Sequence, residues 1–252
     1  MFRIFLKKKL FSGKKTKETN KTDSSKEGRE RRVHERYQVD QQHLTVMNEQ
    51  DILGLKDIGA KGFSSEVSSR AFDRFNLGDI YEARIRYYGE VQDIQVKVAW
   101  KRGKSVGFEL YKPRVEILVF FQRLLRPMQL AASLSPVEPT FMKDPKEGLL
   151  WYHGEDADLH IWQTEENELS AWQLIADKNL IEWSSVHGLK TGEAVPLALS
   201  SLVVSHDTSR IHRVMDDSLN AKRLRFAADL FSALPIPEKA ELLKSLDESL
   251  QS

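Results

Sequence analysis

The feature that most constrains the fold is an alternation of apolar and polar residues in the middle of the chain. Residues 79–88 and 91–101 both alternate in this way, and residues 105–111 follow after a short turn. A period of two buries one side of a segment and exposes the other, which is typical of β-strands. Turns that contain Gly89 and Gly103 separate the three segments, so the pattern predicts consecutive hairpins.

Shorter strand-like segments at residues 44–47 and 52–57 precede this region. Five or six short strands joined by tight turns predict an antiparallel β-barrel or sandwich. After Pro113 the apolar residues recur at helical spacing, so we expect a helix that packs on one end of the barrel. Pro127 is expected to kink or end this helix, because proline lacks the backbone N–H. The predicted fold class is mainly β with accessory helices, in the α+β sense.

The second half of the chain predicts a separate unit. Residues 135–147 are rich in proline and acids and indicate a linker, after which residues 148–252 predict a small β-meander with helices. Residues 211–231 are interpreted as a basic amphipathic helix and residues 237–250 as a shorter one. Four tryptophans lie ten or eleven residues apart, and we expect each meander strand to contribute one ring to a shared core: Trp151, Trp162, Trp172 and Trp183.

Charge is distributed unevenly along the 252 residues. The net charge is +1, but residues 1–36 hold thirteen Lys or Arg against five acids, which leaves −7 for the remainder. Residues 1–28 are predicted to be a disordered basic tail, because the stretch 12–30 has no large apolar side chain to bury. Two interpretations of residues 1–17 remain open: peripheral contact with an anionic membrane, or a solubilising tail.

Several classes of protein find no support in the sequence. Cysteine is absent, which excludes disulfides and thiolate metal sites, and no window is apolar enough to span a bilayer. The segment 1–11 interrupts its apolar residues with lysines, so we interpret it as an uncleaved segment and not as a signal peptide. No nucleophile, phosphate-binding or metal-ligand motif occurs at a usable spacing. We therefore expect no enzyme, no metal and no cofactor, in a cytoplasmic protein that lies at most peripheral to the inner membrane.

Two short motifs carry the candidate binding chemistry. The first, RRVHERYQV, places Arg32 and Arg36 four positions apart, just before the first strand. The second, LKDIGAKGF, contains Asp57, Gly59 and Gly62. Arginine is planar, permanently charged and forked, which suits bidentate recognition of phosphate or of a guanine edge. A carboxylate accepts from the opposite guanine edge, and glycine allows the backbone to approach a flat base.

The paired motifs resemble the PilZ family, whose pattern is RxxxR followed some twenty residues later by D/NxSxxG. The resemblance covers residues 29–134 and includes the segment VAWKRGKSVGFEL. It implies a six-stranded antiparallel barrel with a C-terminal helix that binds cyclic di-GMP through Arg32, Arg36, Asp57, Gly59 and Gly62, and it implies an arm that wraps the ligand. The usual serine of the family is replaced by glycine at position 59.

Arg31 and His34 are further candidates for the ligand site because they lie within the same arm. The resulting hypothesis is a cyclic di-GMP receptor that changes conformation on binding and signals to a protein partner through its C-terminal unit. By resemblance, its output would be motility, adhesion or exopolysaccharide production.

Two alternatives stay open. The first is a PilZ-like interaction protein that no longer binds nucleotide, and the glycine at position 59 is its first indication. The second is a DNA-binding regulator that uses the basic stretch 211–231. The near-neutral net charge makes nucleic acid an unfavoured partner.

Overall fold

A computed structural model describes residues 35–38, 44–47, 52–142, 147–196 and 211–251. All of these residues fall within one compact unit, His34–Ser252. The predicted disordered tail at residues 1–28 and the candidate site residues Arg31, Arg32 and His34 lie outside the described residues.

The first half of the unit is a closed antiparallel barrel. Its elements are β1 Tyr37–Gln38, β2 Leu44–Met47, β3 Ile52–Gly59, β4 Gly62–Glu66, the short helix α1 Ser69–Arg74, β5 Ile80–Tyr87, β6 Glu90–Arg102 and β7 Ser105–Leu110. Six strands follow one another around the barrel in the order β3-β2-β5-β6-β7-β4, and β4 pairs back to β3. The two-residue strand β1 pairs with β3 outside the closed circle. The predicted six-stranded barrel is therefore confirmed.

The alternation in the sequence decides which side chains fill the barrel. Ile85, Val96 and Val98 are buried, whereas their strand neighbours are exposed. The rings of Phe63 and Phe108 meet across β4 and β7 with centroids 5.2 Å apart. The inner face is thus largely apolar, and most polar positions are left on the outer face; buried Ser65 on β4 is an exception.

The helix that follows the barrel, α2 (Val115–Ser133), is shared by two cores. Its first part, from Ile117 to Met128, belongs to the barrel core, whereas Leu130 and Ala131 belong to the core of the second half. Of the two outcomes expected at Pro127, a kink or an end of the helix, the end is wrong, because α2 continues to Ser133. Burial of apolar side chains on both sides of the proline offsets the hydrogen bond that it removes.

The second half is a seven-stranded antiparallel meander with two helices. Its elements are β8 Ser135–Pro136, a 3-10 turn Pro139–Phe141, β9 Leu149–Gly154, β10 Ala157–Gln163, β11 Leu169–Ala176, β12 Asn179–Ser184, β13 Gly188–Pro196, β14 Ile211–Met215, α3 Ala221–Ala233 and α4 Lys239–Gln251. The strands lie in the order β14-β13-β12-β11-β10-β9-β8. The edge strand β8, which pairs with β9, lies within the segment predicted to be a linker.

The expectation that four tryptophans share one core is wrong. Trp172 is buried under α3 and α4, and Trp183 packs beside the same core. Trp151 and Trp162 instead point to the opposite face of the sheet, where both stack on His160. The reason is strand register, because a spacing of ten or eleven residues places tryptophans on either face once the turn lengths differ.

The expectation of one helix over residues 211–231 is also wrong. Ile211–Met215 forms β14 and pairs with β13, and α3 begins only at Ala221. Asn220 caps α3, since its side chain accepts hydrogen bonds from the backbone N–H groups of Lys222 and Arg223. The free edge of β13 overrides the helical spacing of the sequence, as tertiary pairing often does. The predicted helix at residues 237–250 is confirmed as α4.

Polar contacts join the barrel to the second half. The Tyr87 and Tyr88 hydroxyls both donate to the carboxylate of Asp229 on α3. On α2, Arg126 forms ion pairs with Asp177 at 2.5 Å and with Asp156 at 2.9 Å. Burial and the neighbouring Asp229 raise the pKa of Tyr87 well above its usual range, so this hydroxyl stays protonated and keeps donating.

The packing of α3 on the second sheet gives a first testable prediction. Phe231 is fully buried and meets Trp172 edge to face, with centroids 5.0 Å apart. We expect Phe231→Ala to lower the free energy of unfolding by about 3–5 kcal/mol, measured by urea denaturation. Val186→Ala, at a position 80% exposed, is the matched control and should change it by about 0.5 kcal/mol or less. Equal effects of both changes would contradict the assigned core.

Candidate functional site

The structure brings Arg36 and Asp57 into direct contact. Arg36 lies just before β1, and its Nη1 donates to Asp57 Oδ1 at 2.5 Å. Asp57 is on the outer face of the barrel because the next residue of β3, Ile58, points into the core. Both side chains keep about a fifth of their surface exposed, 24% for Arg36 and 19% for Asp57. The pair is therefore stabilised by partial burial and yet accessible to a ligand.

A third side chain, Ser64, completes this cluster and was not predicted from the sequence. Its hydroxyl donates to Asp57 Oδ2 at 2.7 Å, so both carboxylate oxygens accept hydrogen bonds. Asp57 and Ser64 are cross-strand partners in the β3–β4 hairpin. The signal was present in the sequence: a two-residue turn between Gly59 and Gly62 places Asp57 opposite Ser64.

Gly59 has a steric role that the sequence did not suggest. A Cβ at this position would lie 2.8 Å from the carbonyl oxygen of Glu35 and 3.3 Å from Cγ of Arg36. The glycine therefore allows the chain before β1 to pack directly on β3. The serine expected at this position by resemblance would collide with the same segment.

Gly62 is required by the fold, and it has no side chain that could reach the Arg36–Asp57 pair. Its φ of +154° and the carbonyl oxygen of Phe108, which occupies the place of a Cβ, exclude other residues. The role assigned to Gly62 is thus to close β4 against β7, which positions Ser64 two residues later.

An aromatic ring lies beside the cluster. Asp57, Ser64, Gly107 and Trp100 are successive cross-strand partners on β3, β4, β7 and β6. The indole of Trp100 occupies the space where a Cβ of Gly107 would be, so the ring lies across the glycine. A β-bulge between Val98 and Trp100 turns this side chain to the outer face. The outer face therefore presents a cation, a carboxylate and an indole in one row, in which the hydroxyl of Ser64 is buried.

The segment next to Arg36 also contacts the region where the two halves meet. The Tyr37 hydroxyl donates to Glu35 at 2.6 Å, and burial together with Glu35 raises the pKa of Tyr37 to about 12. Glu35 and Tyr37 line a small groove of about 350 Å³ whose other walls include Arg126 of α2 and Glu155 of the second sheet. The described part of the arm, residues 35–38, thus lies beside α2, the helix that joins the two cores.

The described residues contain no group of three or more His, Asp or Glu side chains placed to hold a metal ion. None of the helices in the described ranges combines the length and the apolar character that a membrane span needs.

Comparisons with known proteins add little. No protein-family model matches the chain, and no curated protein matches it. Among solved structures, the crystal structure of an uncharacterized protein from Legionella matches 35% of this chain and 91% of its own length. The sequence identity is 8% and the TM-score is 0.30, values at which the match supports no conclusion about fold or function.

The close approach at Gly59 gives a second prediction. We expect Gly59→Ala to displace the segment 35–38 from β3, because the added methyl group meets the Glu35 carbonyl, while the barrel stays folded. Amide hydrogen exchange should show faster exchange at Tyr37 and Gln38 without a change in the β5–β6 hairpin. Ala60→Ser, at the exposed turn next to it, is the matched control and should leave both regions unchanged.

Proposed function

We propose that the protein is a non-catalytic receptor for cyclic di-GMP, built on a PilZ-like barrel. The observation that carries the proposal is the contact between Arg36 and Asp57 on the outer face of the barrel. The two residues come from separate motifs, and each motif was assigned to the ligand by resemblance. A cytoplasmic location and a place in motility, adhesion or exopolysaccharide control belong to the same proposal.

The chemistry of the pair fits a ligand with two phosphates and two guanines. A guanidinium has five N–H donors, and the contact with Asp57 is made through Nη1 of Arg36. The remaining donors suit phosphate oxygens or the O6 and N7 atoms of guanine, in charge-assisted bonds of about 1.5–3 kcal/mol each. Asp57 holds the guanidinium in place before the ligand arrives, which reduces the ordering cost of binding.

Trp100 supports the proposal independently of charge. An indole is a flat surface on which a purine stacks, and such stacking is worth about 1–3 kcal/mol per base. Trp100 lies in the same cross-strand row as Asp57, three strands away on β6, and its ring covers Gly107 on β7. A base on Trp100 would place its polar edge toward the row that contains Ser64 and Asp57.

The short arm suggests how binding becomes a signal. β1 is two residues long and, within the described residues, pairs with β3 at Tyr37 and Gln38, so few described backbone hydrogen bonds oppose its movement. Ligand capture by Arg36, together with Arg31 and Arg32 earlier in the chain, would reposition this arm. A displacement of the arm would reach α2 through the groove that Glu35 and Tyr37 share with Arg126. The ion pairs of Arg126 with Asp156 and Asp177 would then pass it to the second sheet. The second half would then present the change to a protein partner.

A second candidate is an interaction protein whose barrel no longer binds nucleotide. Two observations favour it: both oxygens of Asp57 already accept hydrogen bonds, and Gly59 lies under the Glu35 carbonyl. In this case the Arg36–Asp57 pair only fastens the arm to the barrel. Direct titration with cyclic di-GMP separates the two candidates.

Calorimetric titration of the full chain with cyclic di-GMP tests the receptor. We expect the wild type to bind, and Arg36→Ala to weaken binding roughly tenfold or more, because a charge-assisted contact is lost. Arg84→Ala is the matched control: this arginine is also paired across the barrel surface, with Asp93 at 2.9 Å, but lies outside the row. Absence of wild-type binding, or equal losses in the two variants, would contradict the proposal.

The stacking role gives a separate prediction. Trp100→Ala should weaken the binding of cyclic di-GMP by about 1–3 kcal/mol while the Arg36–Asp57 contact stays intact. Tryptophan fluorescence of the wild type offers a second readout, since a guanine stacked on Trp100 should quench its emission. Trp162→Ala, on the second sheet, controls for general effects of removing an indole. A Trp100→Ala variant that binds as tightly as the wild type would remove the ring from the site.

A further inference from the structure

A second cleft, separate from the Arg36–Asp57 row, lies on a different part of the barrel. It has a volume of about 790 Å³ and opens between the β5–β6 hairpin and the segment that joins β7 to α2. This volume falls within the roughly 300–1,000 Å³ typical of small-molecule sites. The residues proposed for cyclic di-GMP do not line it.

The inner wall of the cleft is the edge of the barrel core. Four almost fully buried apolar residues line it, and all belong to the core cluster: Ala83, Ile94, Leu110 and Ile117. A ligand in the cleft would therefore meet hydrocarbon at its base.

The rim carries charge with a cationic excess. Arg84 and Asp93 pair across β5 and β6 and cancel one another. Glu82 contributes one negative charge, and Lys112 and Arg114 contribute two positive ones. Neither Lys112 nor Arg114 has an ion-pair partner within the part of the chain that the structure describes. The rim thus has two cations available to an anionic group.

Lys112 is held at the rim by its backbone. Its φ of +42° is unusual for a residue with a side chain, and its ammonium group lies 5.2 Å from the centroid of the Tyr111 ring. The lysine is exposed, and its ammonium group lies near the aromatic ring beside the cleft.

An apolar stripe continues from the rim along α2. Val115, Leu118 and Val119 are 70%, 45% and 57% exposed, and their spacing places them on one side of the helix. The stripe begins one residue after Arg114. An apolar surface that leads away from an anion-attracting rim suits a flexible chain better than a compact polar molecule.

We infer that this cleft binds a single-chain anionic amphiphile, such as a fatty carboxylate. The alkyl chain packs against the core edge at Ala83 and Ile94, and the head group contacts Lys112 and Arg114. This site is independent of the proposed nucleotide site, because no residue of the row Arg36–Asp57–Ser64–Trp100 contributes to it.

Calorimetry with dodecanoate, kept below its micelle concentration, tests the inference on the full chain. The wild type should bind dodecanoate, and the double variant Lys112→Glu and Arg114→Glu should bind it roughly tenfold or more weakly. Both positions are exposed, so the variant should fold, and its thermal unfolding midpoint checks this. The matched control is Arg102→Glu with Lys104→Glu, two exposed residues of the β6–β7 turn, and it should bind like the wild type.

Two further binding experiments identify the ligand class. Dodecanol has the same chain without the charge, and its weaker binding should be insensitive to the double variant. Vesicles that contain phosphatidylglycerol test a bilayer source of the same head-group charge. The inference is overturned if dodecanoate does not bind, if the double and control variants lose equal affinity, or if only vesicles bind in a manner that depends on Lys112 and Arg114.

Discussion

The architecture depends on the burial of one helix by two cores. The first turns of α2 contribute Phe121, Leu124 and Leu125 to the barrel, and its last turn contributes Leu130 and Ala131 to the second core. A helix buried at both ends cannot shift relative to one core without disturbing the other, because packed interiors tolerate little change in volume. The ion pairs of Arg126 and the Tyr87–Asp229 hydrogen bond add directional contacts to this shared packing. The barrel and the meander are therefore mechanically coupled in the described residues.

The candidate site balances two requirements at Asp57. The carboxylate must hold Arg36 in position, and it does so with the help of Ser64. The same contacts occupy the oxygens that would accept from a guanine. Only 24% of the Arg36 side chain and 19% of the Asp57 side chain are exposed, so a ligand would have to displace a largely buried pair to reach these oxygens. Gly59 matters for the same reason, since its lack of a side chain allows the segment before β1 to pack on β3.

The two binding proposals concern different faces of one barrel and different ligand chemistry. The row of Arg36, Asp57 and Trp100 combines a fork of donors with an aromatic surface, which suits a nucleotide. The cleft near Lys112 and Arg114 combines a hydrocarbon base with a cationic rim, which suits an amphiphile. The cleft includes Ile117 of α2, and the groove beside Glu35 and Tyr37 includes Arg126 of the same helix.

The sequence by itself indicated an antiparallel barrel or sandwich and the helix after it, because alternation and turn residues are local properties. The expectation of a six-stranded barrel, and of Arg36 and Asp57 in one candidate site, came from the resemblance of the two motifs to the PilZ family. Only the tertiary structure decided that residues 211–215 form a strand, because pairing with the open edge of β13 outweighed their helical spacing. It also decided that α2 continues past Pro127, because packing on two cores outweighed a lost hydrogen bond. It alone placed Ser64 and Trp100 beside Asp57 and sent Trp151 and Trp162 to the opposite sheet face. Those outcomes depend on strand register and on contacts between distant segments, whose free energies no local pattern contains.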